Sequence, residues 1–395
     1  MTRVLELSAQ AAGGVRAHIR QVSQLLAKDG HQVLLAGPSN VISPADDAVG
    51  GACLRTYQIN IGARPSGADL KALRQLKQLA ATAQVIHAHG LRAGALAVLA
   101  VKRLPAAKRP RVVVTLHNLP VGSAPTRLVG QALHLVVVKG ADYVLTVSPD
   151  LLEKAKQLGL KAGEIAVVPA PARGCADCGC MDRAAQSEIS QASAQSSHAG
   201  SGVGTGSGVG AGSSYGASSA AGSGATPCVL TIARLAPQKG LDLLLEAAAL
   251  IKQRGIDFTW LVAGDGPLKA QLNQQIAAAA LPVKLLGRRE DIGALLSQAD
   301  VVVQTSYWEG QPLTLREAMQ AGRAIVATDV GGSAYTLAGC GQLVEPQAGP
   351  LADAVVAVIS DPKRRETLEA ASRAAVAKIP GETQLREQLD RVLKL

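Results

Sequence analysis

Short apolar runs alternate with amphipathic helical patterns along most of the chain, the arrangement expected of parallel sheets joined by crossover helices. In the first half the strand-like runs are Val4 to Leu7, Gln32 to Ala36, Val85 to Ala88, Arg111 to Leu116, Tyr143 to Val147 and Ile165 to Val168, with helical patterns such as Arg16 to Asp29 and Asp69 to Thr82 between them. The second half repeats the scheme with Val229 to Ile232, Thr259 to Ala263, Val283 to Leu286, Val301 to Gln304, Ala324 to Thr328 and Gly341 to Val344, and a helix over Leu241 to Arg254. From Met181 to Thr226 large apolar residues nearly vanish, as in Ser201-Gly202-Val203-Gly204-Thr205-Gly206-Ser207-Gly208. Such a stretch cannot bury enough surface to offset its ordering entropy. The expectation is an α/β protein with two Rossmann-like, doubly wound domains, 1–172 and 228–395, joined by a flexible Ser/Gly-rich linker over 173–227. Ligands of such sheets bind outside the carboxyl ends of the strands, so two facing domains would share one crevice.

Composition narrows the class. In 395 residues, 48% are hydrophobic and 18% charged, which excludes general disorder, while only 2% are aromatic, which argues against stacking platforms for single-stranded nucleic acid. No run approaches the roughly 18 uncharged apolar residues that a spanning helix needs. Met1-Thr2-Arg3-Val4-Leu5 enters a strand pattern without the basic and apolar tandem of a signal peptide, so a cytoplasmic location is expected. Six cysteines are too few for a disulfide framework. Cys53, Cys228 and Cys340 read as small apolar residues, and the C-x2-C-x-C cluster of Cys175, Cys178 and Cys180 falls short of the four ligands of a structural zinc site.

The net charge of +10 sits in one half: 20 Lys and Arg against 9 Asp and Glu through Ala172, and 20 against 21 after it. Lys102, Arg103, Lys108, Arg109 and Arg111 form the densest cluster. A basic face attracts anionic substrates, nucleic acid or an anionic leaflet, and a solvated helix end is the plainer alternative.

Candidate chemistry gathers after the strands. Gly13 and Gly14 follow the first strand and precede a helix, where exposed amides and the helix dipole favour an anion, although a Gly-Gly pair is often only a turn. In Arg234-Leu235-Ala236-Pro237-Gln238-Lys239-Gly240 two cations at the mouth of a strand could neutralise a diphosphate or remain solvated loop charges. Glu309-Gly310-Gln311-Pro312-Leu313-Thr314-Leu315-Arg316-Glu317 places two carboxylates eight positions apart, one before a helix beginning near Pro312 and one in its first turns. Free amides there can face a phosphate or sugar hydroxyl, and Glu317 can reach a diol such as a ribose. His87 and His89 share a strand face and invite a metal, but no carboxylate partner is evident, so packing or strand-end hydrogen bonding is expected for His87. His18 reads as structural or cleft-lining.

With these residues in place the chain resembles a retaining glycosyltransferase of the GT-B fold, most like the large family 4, whose E-x7-E element binds the nucleotide-sugar donor. The landmarks run in order: Gly13-Gly14, Gly30-His31-Gln32-Val33, His87-Ala88-His89-Gly90, Thr115-Leu116-His117, then Arg234 and Lys239, Ala263-Gly264-Asp265-Gly266-Pro267, Leu286-Gly287-Arg288, Glu309 with Glu317, and Thr328-Asp329-Val330-Gly331-Gly332. The resemblance implies that Gly13 and Gly14 approach the diphosphate, Arg234 and Lys239 compensate its charge, and Glu317 holds the ribose. Glu309 would contact the transferred sugar, with Gly310, Gln311 and Leu313 in the same donor-binding element. Gly287 and Arg288, with Arg289, would bracket the base, His117 would meet the donor sugar, and His89 would lie on the acceptor side.

The reaction implied is transfer of a sugar from a nucleotide diphosphate sugar, a co-substrate rather than a resident cofactor, to a hydroxyl acceptor with retained configuration. A cell-envelope glycan or lipid-linked precursor is the expected acceptor, with peripheral contact at an anionic inner-membrane surface. No D-x-D motif is present where a glycosyltransferase metal would bind, so none is expected. A nucleotide-sugar epimerase of the same architecture is the first alternative, and a noncatalytic basic binding protein the second. A nucleic-acid partner is not expected, since no recognition motif accompanies the basic charge. The chain departs from the family at Val168-Pro169-Ala170-Pro171, where Pro-Asn-Gly is usual, at Gln311, where relatives often carry an aromatic, and at Ser333-Ala334-Tyr335, which lacks a common glutamate.

Overall fold

Strands that are apolar on both faces belong in the middle of a parallel sheet covered by helices, and the chain builds two such sheets. The computed structural model describes residues 1–11, 13–42, 53–62, 67–118, 124–169 and 226–395. In the first half β1 (Arg3–Ser8), β2 (Gln32–Gly37), β3 (Leu54–Gln58), β4 (Val85–His89), β5 (Arg111–Leu116), β6 (Tyr143–Thr146) and β7 (Gly163–Ile165) lie in the order β3-β2-β1-β4-β5-β6-β7. In the second, β8 (Cys228–Ile232), β9 (Thr259–Ala263), β10 (Val283–Gly287), β11 (Val301–Gln304), β12 (Ala324–Thr328) and β13 (Gln342–Val344) lie in the order β10-β9-β8-β11-β12-β13. Every strand pairing is parallel. The order reverses between β1 and β4 and again between β8 and β11, so each sheet opens a crevice there.

The two doubly wound α/β sheets agree with the sequence pattern, and three details differ. β3 was not anticipated: Leu54-Arg55-Thr56-Tyr57-Gln58 is an edge strand with one buried residue, and its mixed polarity hides it. The strand expected over Ile165 to Val168 lies earlier, at Gly163–Ile165.

The third difference concerns the domain boundary. Residues 228–395 do not all belong to the second domain, because the helix Glu382–Leu393 crosses back onto the first. Its buried Leu385, Leu389, Val392 and Leu393 pack with Val4, Ile19, Val22 and Leu25. Gln388 accepts from the Val167 amide at 2.7 Å and donates to the Ile165 carbonyl at 2.9 Å, Arg391 holds Glu164 through both guanidinium nitrogens at 2.9 and 2.8 Å, and Arg111 donates to the Val392 carbonyl. An apolar stripe says that a helix must cover something, not which sheet. The linker core, Cys175, Cys178 and Cys180 lie outside the described residues.

Candidate active site

Parallel strands deliver their following loops to one edge, and in both sheets that edge holds most of the residues singled out above. In the second domain Arg234 follows β8, Gly264 follows β9, Gly287 ends β10, Glu309 follows β11 and Asp329 follows β12. Glycines let these loops touch. A Cβ on Gly264, at φ 151°, would collide with the Ala233 carbonyl, and one on Gly240, at φ 59°, with that of Thr305. The Gly264 amide donates to the Gly287 carbonyl and the Leu235 amide to that of Asp265. Arg234 and Arg288 stand exposed on this connected rim.

The segment from Glu309 to Glu317 forms the floor. Pro312 cannot donate an amide and opens the helix Leu313–Gln320, whose first amides have no intrahelical acceptor. Across the crevice the helix Gly13–Lys28 begins with Gly13 at φ 56° and Gly14. A Cβ on Gly14 would lie 3.1 Å from Leu313 Cδ1, so the first turns of the two helices lie against each other, and each brings its positive dipole end to the contact. Glu309 accepts from Lys239 Nζ at 2.5 Å and from the Ser306 hydroxyl at 2.5 Å, while the Thr305 hydroxyl donates to the Lys239 carbonyl. Glu317 is buried one turn into the helix.

The domains meet directly beside this floor. Gly310 runs against Val147 and the His117 carbonyl, Trp308 Nε1 donates to Asp150 at 2.8 Å, and Gln311 Nε2 donates to the Ala166 carbonyl at 2.7 Å. Gln311 Oε1 in turn accepts from Arg316 Nη2, and burial lowers the Arg316 guanidinium to about 10. The Gln311 amide is therefore a strut between domains, engaged at both ends, not a free ligand group.

On the first domain, β1, β4 and β5 are neighbours whose register sets Glu6 beside His87 and His89 beside Thr115. Alternation then places Glu6, His87, His89, Thr115 and His117 on one face. Glu6 Oε1 lies 3.1 Å from His87 Nδ1 and Oε2 2.7 Å from His89 Nε2. His87 Nε2 meets the Thr115 hydroxyl at 2.8 Å, and His89 Nδ1 meets His117 Nε2 at 3.2 Å. The His18 ring edges against both His89 and His117, with centroids 6.1 and 5.9 Å away. Burial opposes the Glu6 charge, yet His87 and the hydrogen bonds of both imidazoles outweigh it and bring the carboxyl down to about 2. Burial first, and neighbouring imidazoles second, lower His89 to about 4 and His117 well below its ordinary value.

The expectation that His87 and His89 lack a carboxylate partner is thus overturned. Glu6 supplies one, and among the described residues these three side chains are the set whose donor atoms, all within 4.8 Å of one another, could hold a metal ion. As folded, those atoms face each other as hydrogen-bond partners. The sequence signal for Glu6 was available: it is the single charge inside the buried stretch Val4 to Ser8.

Of the residues picked from sequence, Gly14, Lys239, Glu309, Gly310, Leu313 and His117 are brought into contact or adjacency, and Gly13 and Glu317 adjoin them on the same two helices. Arg234, Gly287 and Arg288 share the rim. His89 is only 2% exposed, and its two ring nitrogens are engaged by His117 and Glu6. Ser306, Arg316 and the Trp308–Asp150 clasp were not foreseen.

Comparison with known proteins bears on the fold and the class of protein. Residues 13–171 match the glycosyl transferase 4-like domain and residues 226–361 match glycosyl transferases group 1. An alpha-D-kanosaminyltransferase from Streptomyces kanamyceticus is 35% identical over 149 residues, 36% of this chain and 39% of that protein. A phosphatidyl-myo-inositol mannosyltransferase from Mycobacterium tuberculosis is 35% identical over 150 residues, 35% of this chain and 39% of that one. The matched segments therefore span about two fifths of those curated relatives. The crystal structure of Anabaena Alr3699/HepE in complex with UDP-glucose aligns over 100% of both chains with a TM-score of 0.71 at 20% identity. The fold is that of the two-domain GT-B proteins.

Proposed function

With a glycosyltransferase domain model matching each half, we propose that this GT-B glycosyltransferase moves a sugar from a nucleotide diphosphate sugar to a hydroxyl acceptor with retained anomeric configuration. One observation carries the reading: Gly14 at the start of the first helix lies against Leu313 at the amide end of the Glu317 helix, on the segment whose Glu309 is paired with Lys239.

The costly event is departure of the nucleoside diphosphate from an oxocarbenium-like sugar. Fixed amides and the Lys239 and Arg234 cations compensate the charge that develops on the leaving oxygens, a stabilisation that needs no reorganisation at the moment of reaction. Glu317 holds the ribose hydroxyls. Glu309, already oriented by Lys239 and Ser306, meets the transferred sugar, and His117 meets it from the opposite domain. The leaving phosphate takes the acceptor proton in a front-face attack, and closure of the two domains excludes competing water. The acceptor is a cell-envelope glycan or lipid-linked precursor. The basic excess of the first half and a relative named for a phosphatidyl-myo-inositol substrate support that class and peripheral contact with an anionic leaflet. Among the described residues no helix is long and apolar enough to cross a membrane.

The test incubates the full chain with a panel of nucleotide sugars and candidate acceptors, following nucleoside diphosphate release and the anomeric configuration of the product. Retained configuration, with donor binding weakened by Glu317→Ala, is expected. Inverted product would refute retention. Epimerised free nucleotide sugar, or no response to any donor, would remove the transferase reading.

A further inference from the structure

Behind His117 lies a chain of buried groups that the reaction above does not use. Glu6 is 0% exposed and His89 2%, and β1 and β4, which carry them, and β5, which His117 follows, are adjacent in the sheet centre. Hydrogen-bond logic assigns the protons along it. An ionised Glu6 only accepts, so the His89 nitrogen facing it, Nε2, carries a hydrogen. A neutral His89 then has its lone pair on Nδ1, and the nitrogen 3.2 Å away, His117 Nε2, must donate into it. A neutral His117 protonated on Nε2 keeps its remaining lone pair on Nδ1. Both imidazoles are held below their ordinary range by burial, which keeps them neutral near pH 7. The opposite assignment would place two lone pairs, or two hydrogens, against each other between buried side chains.

We propose that Glu6 and His89 form a buried hydrogen-bond relay that locks His117 in the tautomer with hydrogen on Nε2 and an acceptor on Nδ1, making both of them positioning residues for sugar transfer. The inference rests on the reading of His117 as a group that meets the donor sugar, and it adds which of its nitrogens does so and what enforces the choice. An acceptor at Nδ1 suits a sugar hydroxyl, which donates. The other tautomer would turn an N–H toward the same hydroxyl and leave the relay broken behind it. His117 is placed for this role at the carboxyl end of β5, with its carbonyl 3.7 Å from where a Gly310 Cβ would stand.

The decisive measurement is long-range proton–nitrogen NMR on protein labelled at its seven histidines, read for His117 in the parent and in Glu6→Gln and His89→Leu. The parent should show one His117 tautomer, protonated on Nε2. Glu6→Gln keeps the volume but offers one acceptor atom to two imidazoles, and His89→Leu removes the link, so both should add the Nδ1-protonated form. Each should lower kcat by about tenfold to a hundredfold while leaving nucleoside diphosphate affinity within about threefold. The double variant should be no slower than the slower single one, because both cut the same chain. A parent His117 protonated on Nδ1, an unchanged tautomer in both variants, or stoichiometric zinc or iron in the parent that Glu6→Gln abolishes would each overturn the relay. A shifted tautomer in a protein that turns over no nucleotide sugar would leave the relay standing and remove the transferase reading. Active variants with unshifted His117 would do the reverse.

Discussion

Gly310 runs against the first domain, and adding one methyl group there tests whether the apposition of the domains sets the reacting geometry. A Cβ at this position would lie 2.5 Å from Val147 Cγ2 and 3.2 Å from Val147 Cβ, with the His117 carbonyl 3.7 Å away. Ordinary carbon contacts are about 3.5–4.0 Å, so Gly310→Ala must push the loop and the end of β6 apart by about 1 Å. Val147 is buried, and its neighbours leave little room to retreat. Overpacking of this kind costs about 1–3 kcal/mol, and a displacement of about 1 Å between the floor carrying Glu309 and the strand end carrying His117 costs about a hundredfold in rate. Gly310→Ala should therefore lower kcat with the donor about a hundredfold. Val147→Ala removes the methyl that collides, so the double variant should recover most of that loss, measured as nucleoside diphosphate release at saturating donor. A double variant as slow as Gly310→Ala alone, or a Gly310→Ala protein as fast as the parent, would refute the reasoning, since the defect would then not come from the contact between the domains.

Replacing Lys239 with Met removes a cation held beside Glu309 and should weaken nucleoside diphosphate binding by roughly ten- to 150-fold in calorimetry, the equivalent of one charge-assisted hydrogen bond of about 1.5–3 kcal/mol. Leu389→Ala opens a cavity where the last helix meets the first domain, and should cost about 2–5 kcal/mol in denaturant unfolding monitored on that domain. His134 is 1% exposed with neither ring nitrogen partnered among the described residues, and burial, aided by the Lys154 charge, lowers it to about 4. Below about pH 6.5 the unfolded chain takes up a proton there that the folded one refuses, so stability falls by at most about 1.4 kcal/mol per pH unit down to about 4. His134→Leu should abolish that share of the acid sensitivity, and an unchanged slope between pH 6.5 and 5 would refute the assignment.

Much of the site was legible in the chain because parallel α/β folding converts strand endings into neighbours. Arg234, Gly264, Gly287, Glu309 and Asp329 are spread over nearly a hundred positions, yet each follows or ends an apolar run, and that alone predicts a common edge. The E-x7-E spacing likewise reported a real local object, a proline-opened helix with one carboxylate before it and one inside. Less was legible where polarity was mixed, as in the edge strand β3, or where an amphipathic helix had two sheets to choose from, as in Glu382–Leu393. Gln311 read as a donor contact because it lies within the E-x7-E element, whereas its amide is committed to Ala166 and Arg316.

By itself the sequence determined the number of sheets, the parallel pairing within them and the residues presented at their carboxyl edges, since these follow from periodicity and chain polarity over short range. Only the tertiary structure decided how residues from different strands meet. Glu6 and His89 are 83 positions apart, and strand register makes them hydrogen-bond partners; Gly310 and Val147 belong to different domains, and docking makes them touch. Register and docking are settled by the packing of whole faces, whose energy is summed over many side chains and is written in no single motif.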